Sequence, residues 1–158
     1  FFQAEDGIRD CLLSHGLGDV YKRQVVMIDL DDLKEVNDTY GHESGDQYII
    51  SAAEILKKIV GESGLTARHG GDEFVLFLEE KSEEALREKL TQLEQAQDSS
   101  EAVLHDGQHV PLRFSMGCCF IDEVAAPYDE MLEKADIAMY QNKRQRKEKH
   151  GKQPRRKE

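Results

Sequence analysis

Residues 65–78 read LTARHGGDEFVLFL, two β-prone runs separated by Gly70-Gly71. A double glycine between such runs suits a tight hairpin, because glycine accepts the positive φ that these turns demand. Asp72 and Glu73 follow the turn at once and belong to the hairpin's tip.

Working outward, VVMIDL at residues 25–30 is a mostly apolar, β-branched run, the mark of a buried strand. The mixture of charge, Asn and Gly over 31–45 predicts a turn, a short helix and a loop. Residues 46–60 then form an amphipathic helix, with Tyr48, Ile49, Ala52, Ala53, Leu56 and Ile59 at three- and four-residue steps and Gly61 as the stop. Ser82 opens a further helix, with Glu83 and Glu84 in its first turn and Ala85, Leu86, Leu90 and Leu93 on its inner face. Val103-Leu104 and residues 110–114 flank Asp106-Gly107 as a second hairpin, residues 112–121 (LRFSMGCCFI) read as a buried strand, and residues 129–142 form the last helix. Hairpins interrupting helices predict an α+β fold with a mainly antiparallel central sheet flanked by helices. A doubly wound nucleotide fold would need alternating units and a glycine-rich first loop, and the sequence offers neither.

Composition narrows the function. The 158-residue chain is 39% hydrophobic, enough for one core, and has no apolar run near the roughly 20 residues that span a bilayer. Cys11, Cys118 and Cys119 have no metal-ligand spacing, which predicts reduced thiols and a cytoplasmic setting. Residues 25–140 carry 9 Lys/Arg against 26 Asp/Glu, a body that repels phosphate backbones and argues against nucleic acid as a partner. Residues 141–158 reverse the sign, with 9 Lys/Arg against 2 Glu, and without aromatics for base stacking the end of this run, 148–158, reads as a basic solvated tail.

The first 24 residues show neither period. QAEDGIRD at 3–10 is the translation of a common flow-cell adapter, CAA GCA GAA GAC GGC ATA CGA GAT. GLGDVYKRQ at 16–24 reads as the end of a transposase adapter, and residues 11–13 fall where an index would lie. We therefore set residues 1–24 outside the fold and expect the domain proper to start at Val25.

Two carboxylate groups invite chemistry. Asp29 ends a buried strand and Asp72-Glu73 tip a hairpin; a carboxylate at a sheet edge is costly unless paired, hydrogen-bonded or metal-bound. If the hairpin lies beside the first strand, Asp29 and Asp72 converge as two hard oxygen ligands of the kind Mg²⁺ prefers. Spacing alone leaves a second reading equally open, namely surface acids on a very acidic chain. An EF-hand fails at Asp29-x-Asp31, where Leu33 holds a ligand position and Lys34 the turn glycine.

The sequence resembles the GGDEF-type diguanylate cyclases. The family signature stands unaltered as Gly70-Gly71-Asp72-Glu73-Phe74 after Arg68. It is joined by Asp29-Leu30-Asp31-Asp32-Leu33-Lys34-Glu35-Val36-Asn37-Asp38, similar to D-x-D-x-F-K-x-x-N-D, by Gly41-His42 and Gly45-Asp46, by Ser115-Met116-Gly117, and by Ala135-Asp136 through Met139-Tyr140 to Lys143. These blocks run in order over 25–147, so the resemblance implies a GGDEF domain lacking its first helix, with a ferredoxin-like core akin to nucleotide cyclases and polymerase palms.

The resemblance further implies condensation of two GTP into cyclic di-GMP and pyrophosphate, with Mg²⁺ or Mn²⁺, across a homodimer, downstream of a sensory or receiver domain. It implies no membrane contact by this domain; any anchor of the parent would precede Val25. Asp29, Asp72 and the Leu30 carbonyl match metal ligands. Asp72 matches the group proposed to take the 3′-hydroxyl proton, Glu73 supports the metals, and Lys34 steadies the triphosphate. Asn37 and Asp46 match guanine readers, Gly70 and Gly71 let the backbone approach the nucleotide, and Lys143 matches a phosphate ligand. The family's closing glycine-arginine-asparagine is here Arg146-Lys147-Glu148, so Lys147 takes the second phosphate position without bidentate geometry. The product-inhibition motif R-x-x-D is replaced by Gly61-Glu62-Ser63-Gly64, which predicts no inhibitory site. A catalytically silent GTP-binding regulatory module is the alternative.

Overall fold

The computed structural model describes residues 22–121 and 128–150. The chain runs β1 (Lys22–Leu30), α1 (Leu33–Tyr40), α2 (His42–Val60), a 3₁₀ turn (Gly61–Ser63), β2 (Gly64–Gly70), β3 (Glu73–Glu80), α3 (Glu83–Ser99), β4 (Ser100–Val103), β5 (His109–Leu112), β6 (Phe114–Ile121) and α4 (Tyr128–His150). Four strands form one sheet in the order β2-β3-β1-β6, with every neighbouring pair antiparallel, and β4-β5 make a separate hairpin. The expected α+β architecture is what the chain adopts.

The pleat of β1 explains why both faces are covered. Alternate residues of a strand point to opposite sides. Val26, Ile28 and Leu30 join a core with Tyr48, Ala52 and Leu56 of α2 and Leu86 and Leu93 of α3. Val25 and Met27 join Val75, Phe77 and the Met131, Ala135 and Met139 stripe of α4. Phe74, Phe77 and Phe114 are almost completely buried, each side chain removed from water contributing about 1.5–3 kcal/mol.

Several boundaries differ from the sequence reading. β1 starts at Lys22, ahead of Val25, because its backbone continues the ladder: Lys22 to Gln24 pair with Glu80 to Leu78, and Arg23 holds Glu79 at 2.7 Å. α2 starts at His42, so Gly45 lies inside a helix and does not end a loop. Arg113 separates β5 from β6, splitting the run read as one strand. α4 continues past Asn142 to His150, taking in residues assigned to the basic tail. Residues 1–21 and 151–158, and with them Cys11 and most of the adapter-like segment, lie outside the described residues.

Gln24 is an exception in the core. It is fully buried, and neither its amide nitrogen nor its oxygen is hydrogen-bonded. The capping expectation holds: Ser82 Oγ accepts from Ala85 N at 3.1 Å, closing the N-terminus of α3.

Candidate active site

The end of β1 and the turn of the β2–β3 hairpin meet at one edge of the sheet. Asp29 is paired across the ladder with Glu73, and Leu30 N donates to Asp72 O at 3.0 Å. Two main-chain relationships thus lay the end of the strand beside the hairpin tip, the arrangement that the expected convergence requires, and the charge of Asp72 is felt at Asp29. Gly71 carries the turn's positive φ, +25°. Arg68 then fixes it, its Nε and Nη2 both donating to Gly71 O at 3.0 and 2.6 Å. Nothing in sequence singled out that clamp, although its three-residue spacing was visible.

α4 supplies the cation. Gly117 of β6 lets the helix lie directly on the strand, since a Cβ there would stand 2.0 Å from Met139 N and 2.3 Å from Ala135 O. One turn further along α4, Lys143 Nζ reaches Asp29 Oδ1 at 2.5 Å. Burial pushes the Asp29 carboxyl above its ordinary range; Lys143 opposes this by hydrogen bond and charge, and Asp72 and Asp31 add to it. For Lys143, burial acts to lower the pKa, but the Asp29 contact and the charges of Asp31 and Asp72 outweigh it and hold it up. The two shifts differ in cause: burial dominates at Asp29, whereas the surrounding carboxylates hold the Lys143 ammonium charged.

Asp31, the second acid of the D-x-D pattern, is engaged elsewhere. Its Oδ1 accepts from Ser115 Oγ at 2.8 Å, its backbone N donates to Arg113 O at 3.0 Å, and Arg146 Nε stands 3.7 Å from Oδ2. Tyr48 steadies that arrangement from α2, its hydroxyl accepting from Arg113 N at 3.0 Å, and burial pushes its pKa up to about 12.

Asn37 and Asp46, expected from the resemblance to read guanine, form a second group. Asn37 on α1 lies over Gly45, where a Cβ would stand 2.0 Å from Asn37 Oδ1, and Asp46, itself exposed, follows Gly45 near the start of α2. Lys34 is exposed on α1. Lys147 is exposed on α4 and, among the described residues, enters no ion pair. The cation that turns inward is its neighbour Arg146, which holds Asp98 Oδ1 at 2.8 Å.

Among the described residues no group of three or more His, Cys, Asp and Glu side chains is arranged to hold a metal. The donors present are those of a hard-cation site completed from outside: buried carboxylate, neighbouring carboxylate and a main-chain carbonyl. The ammonium on Asp29 shows that a positive charge is accommodated beside that carboxylate. A groove of about 700 Å³ between α3, β6 and α4, lined by Gln97, Cys118, Asn142 and Arg146 among others, contains none of the sequence-predicted site residues. Among the described residues no helix is long and apolar enough to cross a membrane.

A family model described as "Diguanylate cyclase, GGDEF domain" matches residues 11–149, a range that starts ahead of Val25. The chain is 30% identical over 120 residues to diguanylate cyclase DosC of Escherichia coli, covering 76% of this chain and 26% of that protein. To diguanylate cyclase A of Treponema denticola it is 29% identical over 119 residues, covering 75% and 32% respectively. It therefore spans about a third or less of these relatives' length. Among solved structures, the GGDEF domain of YfiN (TpbB) from Pseudomonas aeruginosa superposes with a TM-score of 0.71 at 33% identity, covering 78% of this chain and 72% of that one. With the signature turn set against Asp29 and the match extending over most of its length, the chain belongs to the GGDEF domain family of diguanylate cyclases.

Proposed function

We propose that this domain condenses two GTP molecules into cyclic di-GMP and two pyrophosphates. The observation that carries the reading is the meeting of Asp29 with the Gly-Gly-Asp-Glu turn, with Lys143 alongside. In each half-reaction the 3′-oxygen of one GTP forms a bond to the α-phosphorus of the other, the bond from that phosphorus to the β-phosphate bridging oxygen breaks, and pyrophosphate leaves. The hydroxyl proton passes to the Asp72 carboxylate. Two such steps close the ring. Because each domain holds one nucleotide, two copies must face each other.

Asp29, Asp72 and the Leu30 carbonyl would hold Mg²⁺ or Mn²⁺, with Glu73 in support; when bound, it neutralises charge on the triphosphate and favours the ionised hydroxyl. Lys143 and Lys34 bind phosphate oxygens, with Lys147 able to add charge from the solvent side. Asn37 and Asp46 read guanine, since a carboxylate accepts from N1–H and N2–H while an amide offers both a donor and an acceptor. Gly70 and Gly71 keep the turn clear of side chains near the phosphates.

Incubating the protein with GTP and Mg²⁺ and resolving the products by chromatography tests the reading. Cyclic di-GMP and pyrophosphate in a ratio of one to two support it. GTP binding without product would make the domain the silent regulatory module instead.

A further inference from the structure

We propose that Lys143 is an exchangeable counter-cation: with no divalent ion present its ammonium neutralises Asp29, and it releases that carboxylate to a divalent ion only when a nucleotide triphosphate offers it a new partner. The inference rests on the function proposed above and deepens it, because it makes nucleotide and metal bind as a pair.

Asp29 is only 8% exposed, and a buried carboxylate needs a compensating charge. Lys143 provides it, in direct contact and with its own side chain 22% exposed. Its neighbour Arg146 cannot take over, being held by Asp98 Oδ1 at 2.8 Å, with a longer approach to Gln97 O at 3.4 Å. Asp31 is committed to Ser115. The helix that carries Lys143 is seated on Gly117, so exchange needs movement of the lysine's flexible four-carbon stem alone.

A divalent ion arriving by itself must evict the ammonium and then sit beside it, like charge against like. A triphosphate removes that penalty by accepting the ammonium among its oxygens. The two ligands are then coupled through one side chain, and each strengthens the other's binding by the same factor.

Mn²⁺ alone, titrated into the full chain and followed by the electron paramagnetic resonance of the free ion, reads this directly. Lys143→Met should tighten Mn²⁺ binding about tenfold, a change of roughly 1.4 kcal/mol by the usual conversion. Lys143→Arg, which keeps a cation on Asp29, should stay near the parent. Arg144→Met removes the same charge from an exposed neighbouring position and should also leave the affinity unchanged. Equal or weaker Mn²⁺ binding by Lys143→Met overturns the proposal, as does equal tightening by Arg144→Met, which would reduce the effect to bulk charge. Thermal melts confirm that each variant is folded. Since no turnover is read, tightening in Lys143→Met stands even where no cyclic di-GMP forms. Product formation without tightening sinks this inference and leaves the proposed function intact.

Discussion

Met139 N lies 2.0 Å from the point where a Cβ on Gly117 would stand. Helix and strand are in backbone contact there, and rigid main chain cannot give way as the end of a side chain can. Gly117→Ala should therefore lift α4 from β6 and cost about 1–3 kcal/mol, the usual range for overpacking a tight interface. Because Lys143 is one turn along, the same substitution should also separate it from Asp29. Urea denaturation measures the first effect, and the Mn²⁺ titration the second.

Gly45 presents the opposite case. A Cβ there would meet Asn37 Oδ1 at 2.0 Å, but that atom ends a half-buried side chain which can rotate away. Gly45→Ala should leave the melting temperature almost unchanged while displacing Asn37. The preference for GTP over ATP should then fall by about tenfold, the worth of one hydrogen bond. Competition binding with the two nucleotides checks it; unchanged preference would remove Asn37 from guanine recognition.

Gln24 is fully buried in β1 with both amide atoms unbonded, next to Leu78 of β3 and Phe120 of β6 in the ladder. An unsatisfied buried polar group costs about 1–3 kcal/mol. Gln24→Leu, similar in size and without that penalty, should stabilise the fold by an amount in that range, measured as a shift of the urea midpoint at constant slope.

Asp29 links the site to stability. Its folded-state pKa is raised above 3.8, chiefly by burial. The folded chain therefore holds a proton that the unfolded chain has lost, and stability falls as pH rises through the window between the two values. Above that window the ionised carboxylate works against the fold. Asp29→Asn should accordingly flatten the fall in stability of the cation-free protein between pH 4 and neutral pH, while abolishing divalent-ion binding. Denaturation curves at the two pH values test the sign.

Much of this was legible in the sequence, and the exceptions share a cause. The hairpin, the Ser82 cap and the alternating burial of β1 follow from local periodicity and turn chemistry, which act over a few residues. Gly45 was misread as a loop residue because a glycine kept for the approach of Asn37 looks, in one dimension, like a helix breaker. The extension of α4 through Lys143 and Arg146 was hidden for a similar reason. A basic run reads as solvated tail until Asp29 and Asp98, 114 and 48 positions away, supply its partners. Pattern alone likewise left the pairing of Asp29 with Glu73 open, since register across a ladder is a long-range property. Arg68 and Arg146 belong to that class: their roles are set by what they touch.

In the proposed reaction Asp29 and the acid after the double glycine grip one cation. Crystals of the protein grown with Mn²⁺ and a non-hydrolysable GTP analogue, with anomalous scattering recorded at the manganese edge, test it most directly. The expected result is a peak bound by oxygens of both Asp29 and Asp72, at about 2.1–2.3 Å for a hard divalent ion, with Lys143 turned onto the phosphates. A peak touching only one of the two carboxylates, or Lys143 still on Asp29 beside bound nucleotide, would contradict it.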